Sequence, residues 1–295
     1  MGGAADSHWT DGWWNSPDGL RLHYRDYRGG AESRPPVLCI PGLTRNARDF
    51  EGVAERLAGD WRVICVDLRG RGESDAAPDS TTYNPLVYLN DIQALIAELA
   101  LDRVVMFGTS LGGLVTMLLA AADRPRLAGA LLNDVGPVLE EKGLDHIRAY
   151  VGRSQTWPTW VHAARAFCES QRERYPDWGL DQWLVFAKRV CRLTPQGRVT
   201  LDYDMRIAEP LRAPAPPVDL WPIFKALSGV PSLLVRGELS DLLAASTVDR
   251  MLAENHDLEA VTVPRVGHAP TLEEPEAAEA IDRLLIRVER SGPAA

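Results

Sequence analysis

Gly108-Thr109-Ser110-Leu111-Gly112 constrains this chain more than any other stretch. The apolar run at 103–107 precedes it and reads as a buried strand, and residues 114–122 follow as a buried helix. A strand that turns straight into a helix through a serine holds that serine in a strained backbone conformation, with its hydroxyl clear of the sheet. Glycines two residues before and two after remove Cβ atoms that would collide where strand and helix meet. The amides opening the helix point at the same spot and favour negative charge there.

The neighbouring sequence supplies the sheet that such a turn requires. Pro17-Asp18-Gly19 separates two extended runs, Trp13-Trp14-Asn15-Ser16 and Leu20-Arg21-Leu22-His23-Tyr24, and predicts an antiparallel hairpin. Val37-Leu38-Cys39-Ile40 is an apolar strand that ends at Pro41-Gly42. Phe50, Val53, Ala54 and Leu57 then share one helical face, closed by Gly59. A strand at 62–66 runs into the glycine-rich polar loop 67–75, and Leu89, Ile92, Leu95, Ile96 and Leu99 mark a further helix before the strand at 103–107. Another strand, 127–132, follows. The alternation predicts a mainly parallel α/β sheet flanked by helices.

That rhythm changes after residue 137. From 138 to 225 the chain reads as helices with no strong strand: Trp157, Trp160, Val161, Ala164 and Phe167 on one face, Trp178, Trp183, Leu184 and Ala187 along a later segment. Pro210, Pro214, Pro216, Pro217 and Pro222 form a stiff exit. Strands at 232–236 and 258–263 resume the core, and a helix bearing Ile281, Leu284, Leu285 and Val288 closes it. The expected organisation is a core in two parts, 1–137 and 226–295, interrupted by a helical cap at 138–225.

Composition excludes several function classes. The net charge of −9, with no basic cluster, disfavours nucleic acid and anionic membranes as partners. Cys39, Cys65, Cys168 and Cys191 lack metal-ligand spacing, and the first two sit in apolar strands as small hydrophobes, pointing to a reducing compartment. Met1-Gly2-Gly3-Ala4-Ala5-Asp6 has no signal-peptide apolar core, and Asp6 stands where a myristoylation signal takes Ser or Thr. No apolar run approaches the ~20 residues of a membrane span. The expectation is a cytoplasmic protein acting on a small molecule, without metal or cofactor; a homo-oligomer is compatible with this composition.

Loops at the carboxyl ends of the strands form the site of an open parallel sheet. They carry Ser110, a nucleophile that needs a base; His268, after the last strand, as that base; and Asp241, after the strand before, to orient the imidazole. The order Ser, Asp, His fits this arrangement. Asp134, which ends the strand at 127–132, is the rival acid. Asp67 and Arg69 read as structural, fixing their loop by local hydrogen bonds. Thr44, Arg45 and Asn46 read as helix-capping or substrate-contacting residues. The tryptophans of the insertion read as core, with one or two lining a pocket roof. His8, His23, His146, His162 and His256 lie away from the strand-end loops and read as non-catalytic, His162 being the one whose place in the cap could let it face substrate.

Taken in order, the elbow at 108–113, the loop Asp67-Leu68-Arg69-Gly70-Arg71-Gly72-Glu73-Ser74, the segment from Gly237 to Asp241, and Gly267-His268 resemble the α/β-hydrolase family, in its branch with a helical cap. The resemblance implies an eight-stranded sheet and an oxyanion hole made by the amides of Leu43 and Leu111. It also departs from the family: many members carry His-Gly where this chain has Pro41-Gly42. By the same resemblance, a serine at 110 implies an ester or lactone hydrolase working through an acyl-enzyme, not a dehalogenase or epoxide hydrolase. A tryptophan-bearing cap suggests a small-to-medium, largely apolar substrate, with Arg45, Trp157, Trp160 and Trp183 as pocket residues. Carbon–carbon bond hydrolysis of diketones, release of N-terminal proline, and a ligand receptor on the same fold remain open alternatives.

Overall fold

A computed structural model describes residues 8–31, 33–212 and 218–292. The leader readings on residues 1–6 and the exit prolines Pro214, Pro216 and Pro217 lie outside the described residues.

The hairpin forms as expected, from β1 (Thr10–Asn15) and β2 (Arg21–Tyr27) in antiparallel register. The chain then alternates through β3 (Val37–Ile40), α1 (Glu51–Leu57), β4 (Val63–Asp67), α2 (Pro85–Glu98), β5 (Val104–Thr109), α3 (Leu111–Asp123) and β6 (Leu127–Asn133). An insertion carries α4 (Glu141–Tyr150), β7 (Thr156–Trp157), α5 (Trp160–Gln171), α6 (Leu180–Val190), β8 (Cys191–Leu193), β9 (Val199–Leu201), α7 (Ala208–Arg212) and α8 (Trp221–Lys225). The core ends with β10 (Ser232–Gly237), α9 (Ala245–Glu254), β11 (Leu258–Val263) and α10 (Pro275–Arg290). Among the described residues the main sheet has eight strands in the order β1-β2-β4-β3-β5-β6-β10-β11. It is parallel from β4 to β11, with β1 and β2 antiparallel at one edge.

Strand periodicity divides the core into two layers. Leu38, Ile40, Ile64, Val66 and Met106 face one side, where Ile92 and Leu95 of α2, Val115 and Leu119 of α3 and Phe224 of α8 cover them. Val37, Cys39, Val63, Cys65 and Phe107 face the other, under Val53 and Leu57 of α1 and Ile281 and Leu284 of α10. The helix α8, at the end of the inserted segment, therefore belongs with the core layer.

The insertion is less purely helical than its sequence suggests. β7, β9 and β8 form a small antiparallel sheet, in strands of two or three residues that are too short to carry a period-two pattern. Trp157 lies in β7 and not on the following helix, because Thr159 caps α5 by accepting the His162 amide. Trp157 packs on Phe167, and Phe167 meets Phe186 edge-on at 5.1 Å, so these rings form the insertion's own core.

Two polar devices brace the loops after β3 and β4. Arg69 is fully buried and forks bidentately to both Asp91 on α2 and Asp18 in the hairpin turn, holding the Asp18 carboxyl down at about 2. Its ties are long-range where local ones were expected. Asp67 accepts the amides of Ala47 and Glu73 and contacts His23 Nδ1 at 2.7 Å, while His23 Nε2 reaches Asp11 at 3.0 Å. Burial would lower the His23 pKa, but the two carboxylates outweigh it and raise it above the ordinary 6.5.

A group with a raised folded pKa adds stability that is complete below its unfolded value and disappears as pH rises through the folded one. Wild-type unfolding free energy, measured by urea titration, should therefore fall as pH climbs above about 6.5, and His23→Gln should lose that slope. The elbow yields a second expectation. A Cβ on Gly112 would stand 2.0 Å from the Ile40 carbonyl oxygen, a backbone atom that cannot rotate away. Gly112→Ala should destabilise the fold by about 1–3 kcal/mol in the same titration.

Candidate active site

Ser110 sits between β5 and α3 at φ +52° and ψ −112°, the strained elbow conformation. Its amide donates to the Asn133 carbonyl at 2.9 Å, and its own carbonyl accepts from Gly113 and Leu114. The chain needs glycine on both sides. A Cβ on Gly108 would fall 2.4 Å from the Gly112 carbonyl carbon, so strand and helix touch backbone to backbone.

Ser110 Oγ lies 3.0 Å from His268 Nε2, and His268 Nδ1 lies 2.7 Å from Asp134 Oδ2. The three groups come from the ends of β5, β6 and β11. Asp134 is fully buried and holds a left-handed backbone, φ +54°. A buried carboxylate must be matched by donors, and here the Gly237 amide meets Oδ1 at 2.9 Å while Ser240 Oγ donates to Oδ2 at 2.6 Å.

Asp241 is not at the histidine. Its Oδ2 contacts His146 Nδ1 at 2.5 Å and Arg174 Nη2 at 3.1 Å. Burial would raise its pKa, but His146 and Arg174 outweigh that and hold it below the usual carboxylate range. The turn after β10, closed by Ser240 N to Gly237 O at 3.0 Å, aims Ser240 inward at Asp134 and leaves Asp241 facing the insertion. The structure thus replaces the expected Asp241 with its rival, Asp134.

The loop after β3 runs beside Ser110: a Cβ on Gly42 would lie 3.7 Å from Ser110 Cβ. The Leu43 carbonyl accepts from Arg71 Nε at 2.8 Å, which fixes that loop from behind. Neither the Leu43 nor the Leu111 amide has an acceptor among the described residues. Arg71, Ser240 and Asn133 are supporting residues that the sequence reading passed over. Arg71 and Ser240 lie within motifs and Asn133 beside Asp134, but nothing local in the sequence gave any of them its part.

A cavity of about 680 Å³ opens above Ser110 and His268, roofed by α4, α5 and α6. Arg45 lines it, as expected, paired with Asp49 and stacked on Phe186. Trp157, Trp160 and Trp183 do not line it; they are absorbed in packing of the insertion, and Trp178 is the tryptophan at the wall. His162 bonds Thr159 and lies away from the cavity. The lining is cationic for so acidic a protein: Arg45, Lys142, Arg153, Arg174 and Arg189 against Asp49, Glu173 and Asp241. Lys142 and Arg153 have no carboxylate partner among the described residues. No cluster of three or more His, Cys, Asp or Glu arranged to hold a metal occurs among the described residues, and no helix there is long and apolar enough to cross a membrane.

The geometry ranks two variants. Asp134→Asn should lower kcat about 10³- to 10⁴-fold, because an amide cannot hold the imidazole in the right tautomer. Asp241→Asn should leave kcat within about tenfold of wild type, with steady-state kinetics on a chromogenic acyl ester as the readout.

Residues 37–281 match the model of the alpha/beta hydrolase family. A 3-hydroxybutyrate-oligomer hydrolase of Cupriavidus necator is 38% identical over 272 residues, 88% of this chain and 91% of that protein. The 2-(acetamidomethylene)succinate hydrolase of Mesorhizobium japonicum is 29% identical over 80% of this chain and 82% of its own length. The crystal structure of an alpha/beta hydrolase from Novosphingobium aromaticivorans superposes with a TM-score of 0.92 at 56% identity, covering 96% of this chain and all of that one. With a fold, a strained serine at the elbow and a sequence match that runs through both halves of the core, the chain belongs to the alpha/beta hydrolase family and is a hydrolase.

Proposed function

We propose that the protein hydrolyses an ester bond in a carboxylate-bearing substrate, of the kind found in a short oligomer of a hydroxy acid. The observation that carries this reading is the Ser110–His268–Asp134 relay opening into a cavity lined by more cations than anions. Ser110 Oγ attacks the ester carbonyl while His268 Nε2 takes its proton. Asp134 holds the other imidazole nitrogen protonated and stabilises the imidazolium. The amides of Leu43 and Leu111 receive the developing oxyanion. His268 then returns the proton to the leaving alkoxide, and water repeats the sequence on the acyl group, releasing the acid and restoring Ser110.

Cavity charge selects among esters. Lys142 and Arg153 stand at the exposed rim without carboxylate partners. Positive lining in a protein of net charge −9 favours an anionic ligand in the cavity. Two relatives support the same chemistry, since a 3-hydroxybutyrate oligomer and a succinate derivative both carry carboxylates. The substrate reading accordingly shifts from largely apolar to acidic.

The test compares a linear 3-hydroxybutyrate trimer as its free acid and as its terminal methyl ester. The free acid should be cleaved with a KM at least about tenfold lower, a gap that corresponds to one lost charged contact. Added salt should narrow the gap. Equal KM values for the two, with Ser110→Ala inactive on both, would retain the hydrolase and discard the acidic substrate.

A further inference from the structure

The loop that carries His268 is tied to the insertion as well as to the core. On one side of the histidine, the Gly267 amide donates to the Arg174 carbonyl at 2.7 Å. On the other, the Tyr175 hydroxyl donates to the Ala269 carbonyl at 2.9 Å. Two consecutive residues, just beyond α5, therefore hold the peptide units flanking the imidazole. The core contributes Asn133 Nδ2, which donates both to the Pro270 carbonyl at 2.8 Å and to Thr109 Oγ1 at 3.0 Å, next to the nucleophile.

Each tie is built into rigid surroundings. A Cβ on Gly267 would meet the Arg174 Cβ at 2.8 Å, so the close approach of the two segments needs glycine there. Tyr175 is buried, its ring stacked on Trp178 at 4.1 Å and edge-on to Trp183 at 5.8 Å. A ring gripped in this way cannot follow a moving loop, so its hydroxyl acts as a fixed post. The Arg174 side chain anchors the same segment to Asp241, in the loop after β10. That gives Asp241, displaced from the relay, a part in docking the insertion.

We propose that Tyr175 is a positioning residue for His268, and that the insertion must be docked for the imidazole to stand between Ser110 and Asp134. The inference rests on the reading of Ser110 as nucleophile and His268 as base. A loop that leaves β11 without regular structure has little of its own to hold a ring in line with two partners. A displacement of about 1 Å at a reacting group lowers a rate by as much as about a hundredfold. Removing one post behind the base thus acts on turnover and not on substrate affinity.

The experiment compares wild type, Tyr175→Phe and, as a second variant, Asn133→Ala. Four readouts are taken: steady-state kinetics on the ester, the rate of Ser110 labelling by a fluorophosphonate, the low-field proton resonance of His268 Nδ1–H, and the thermal unfolding curve. Tyr175→Phe keeps the ring and deletes only the hydroxyl. It should lower kcat and the labelling rate about 10- to 100-fold, leave KM within about twofold, broaden or shift the imidazole resonance, and leave the thermal midpoint near that of wild type. Asn133→Ala should change the same quantities in the same direction. Wild-type kcat and labelling in a folded Tyr175→Phe would overturn the proposal. So would a change confined to KM, or a loss of rate matched by the fraction of protein unfolded. A wild-type protein that neither turns over ester nor labels at Ser110 would remove the underlying hydrolase reading instead, an outcome distinguishable because every variant would then be equally inert.

Discussion

Contact between bare backbones, where α3 meets β3 and β5, is the constraint on which the rest of this molecule depends. Gly108, Gly112 and the Ile40 carbonyl approach so closely that no side-chain carbon fits between them. That approach forces Ser110 into a positive-φ turn, and the turn lifts its hydroxyl to the carboxyl edge of the sheet. Parallel strands deliver every following loop to that same edge. The sheet thus decides where chemistry takes place before any catalytic partner is specified.

The buried carboxylate is the second organising element. Asp134 is fully buried, so its oxygens are met by the Gly237 amide at the end of β10, the Ser240 hydroxyl after β10 and the His268 imidazole after β11. Three loops are consequently held to a single atom group. The exchange of roles between neighbours follows from this. Ser240 turns inward to satisfy Asp134, so Asp241, one residue on, faces out to Arg174 and His146. One carboxylate meets the His268 imidazole and the other pairs with Arg174 and His146 of the insertion.

Long-range polar ties then connect layers that hydrophobic packing alone would leave independent. Arg69 joins the hairpin turn to α2, Asp67 joins the loops after β3 and β4 to His23, and Arg71 reaches the Leu43 carbonyl. The last of these fixes the loop after β3, which runs beside Ser110. The glycine-rich stretch from 67 to 74 serves the site without entering it.

Sequence by itself determined the alternating strands and helices, the serine at the sharp turn between β5 and α3, and the histidine after the last strand. Each of these is written in local periodicity or in short motifs of residues adjacent along the chain. The choice between Asp134 and Asp241 was not legible, because both end strands that flank one another and each could reach the imidazole. Only the turn geometry after β10, with Ser240 aimed inward, decided between them. The short strands of the insertion were likewise hidden, since two or three residues cannot display alternation. Tertiary structure alone decided which tryptophan meets the cavity and that cations outnumber acids there, because apolar rings at helical spacing serve core and pocket equally well, and a charge reveals its purpose only when its neighbours in space are known.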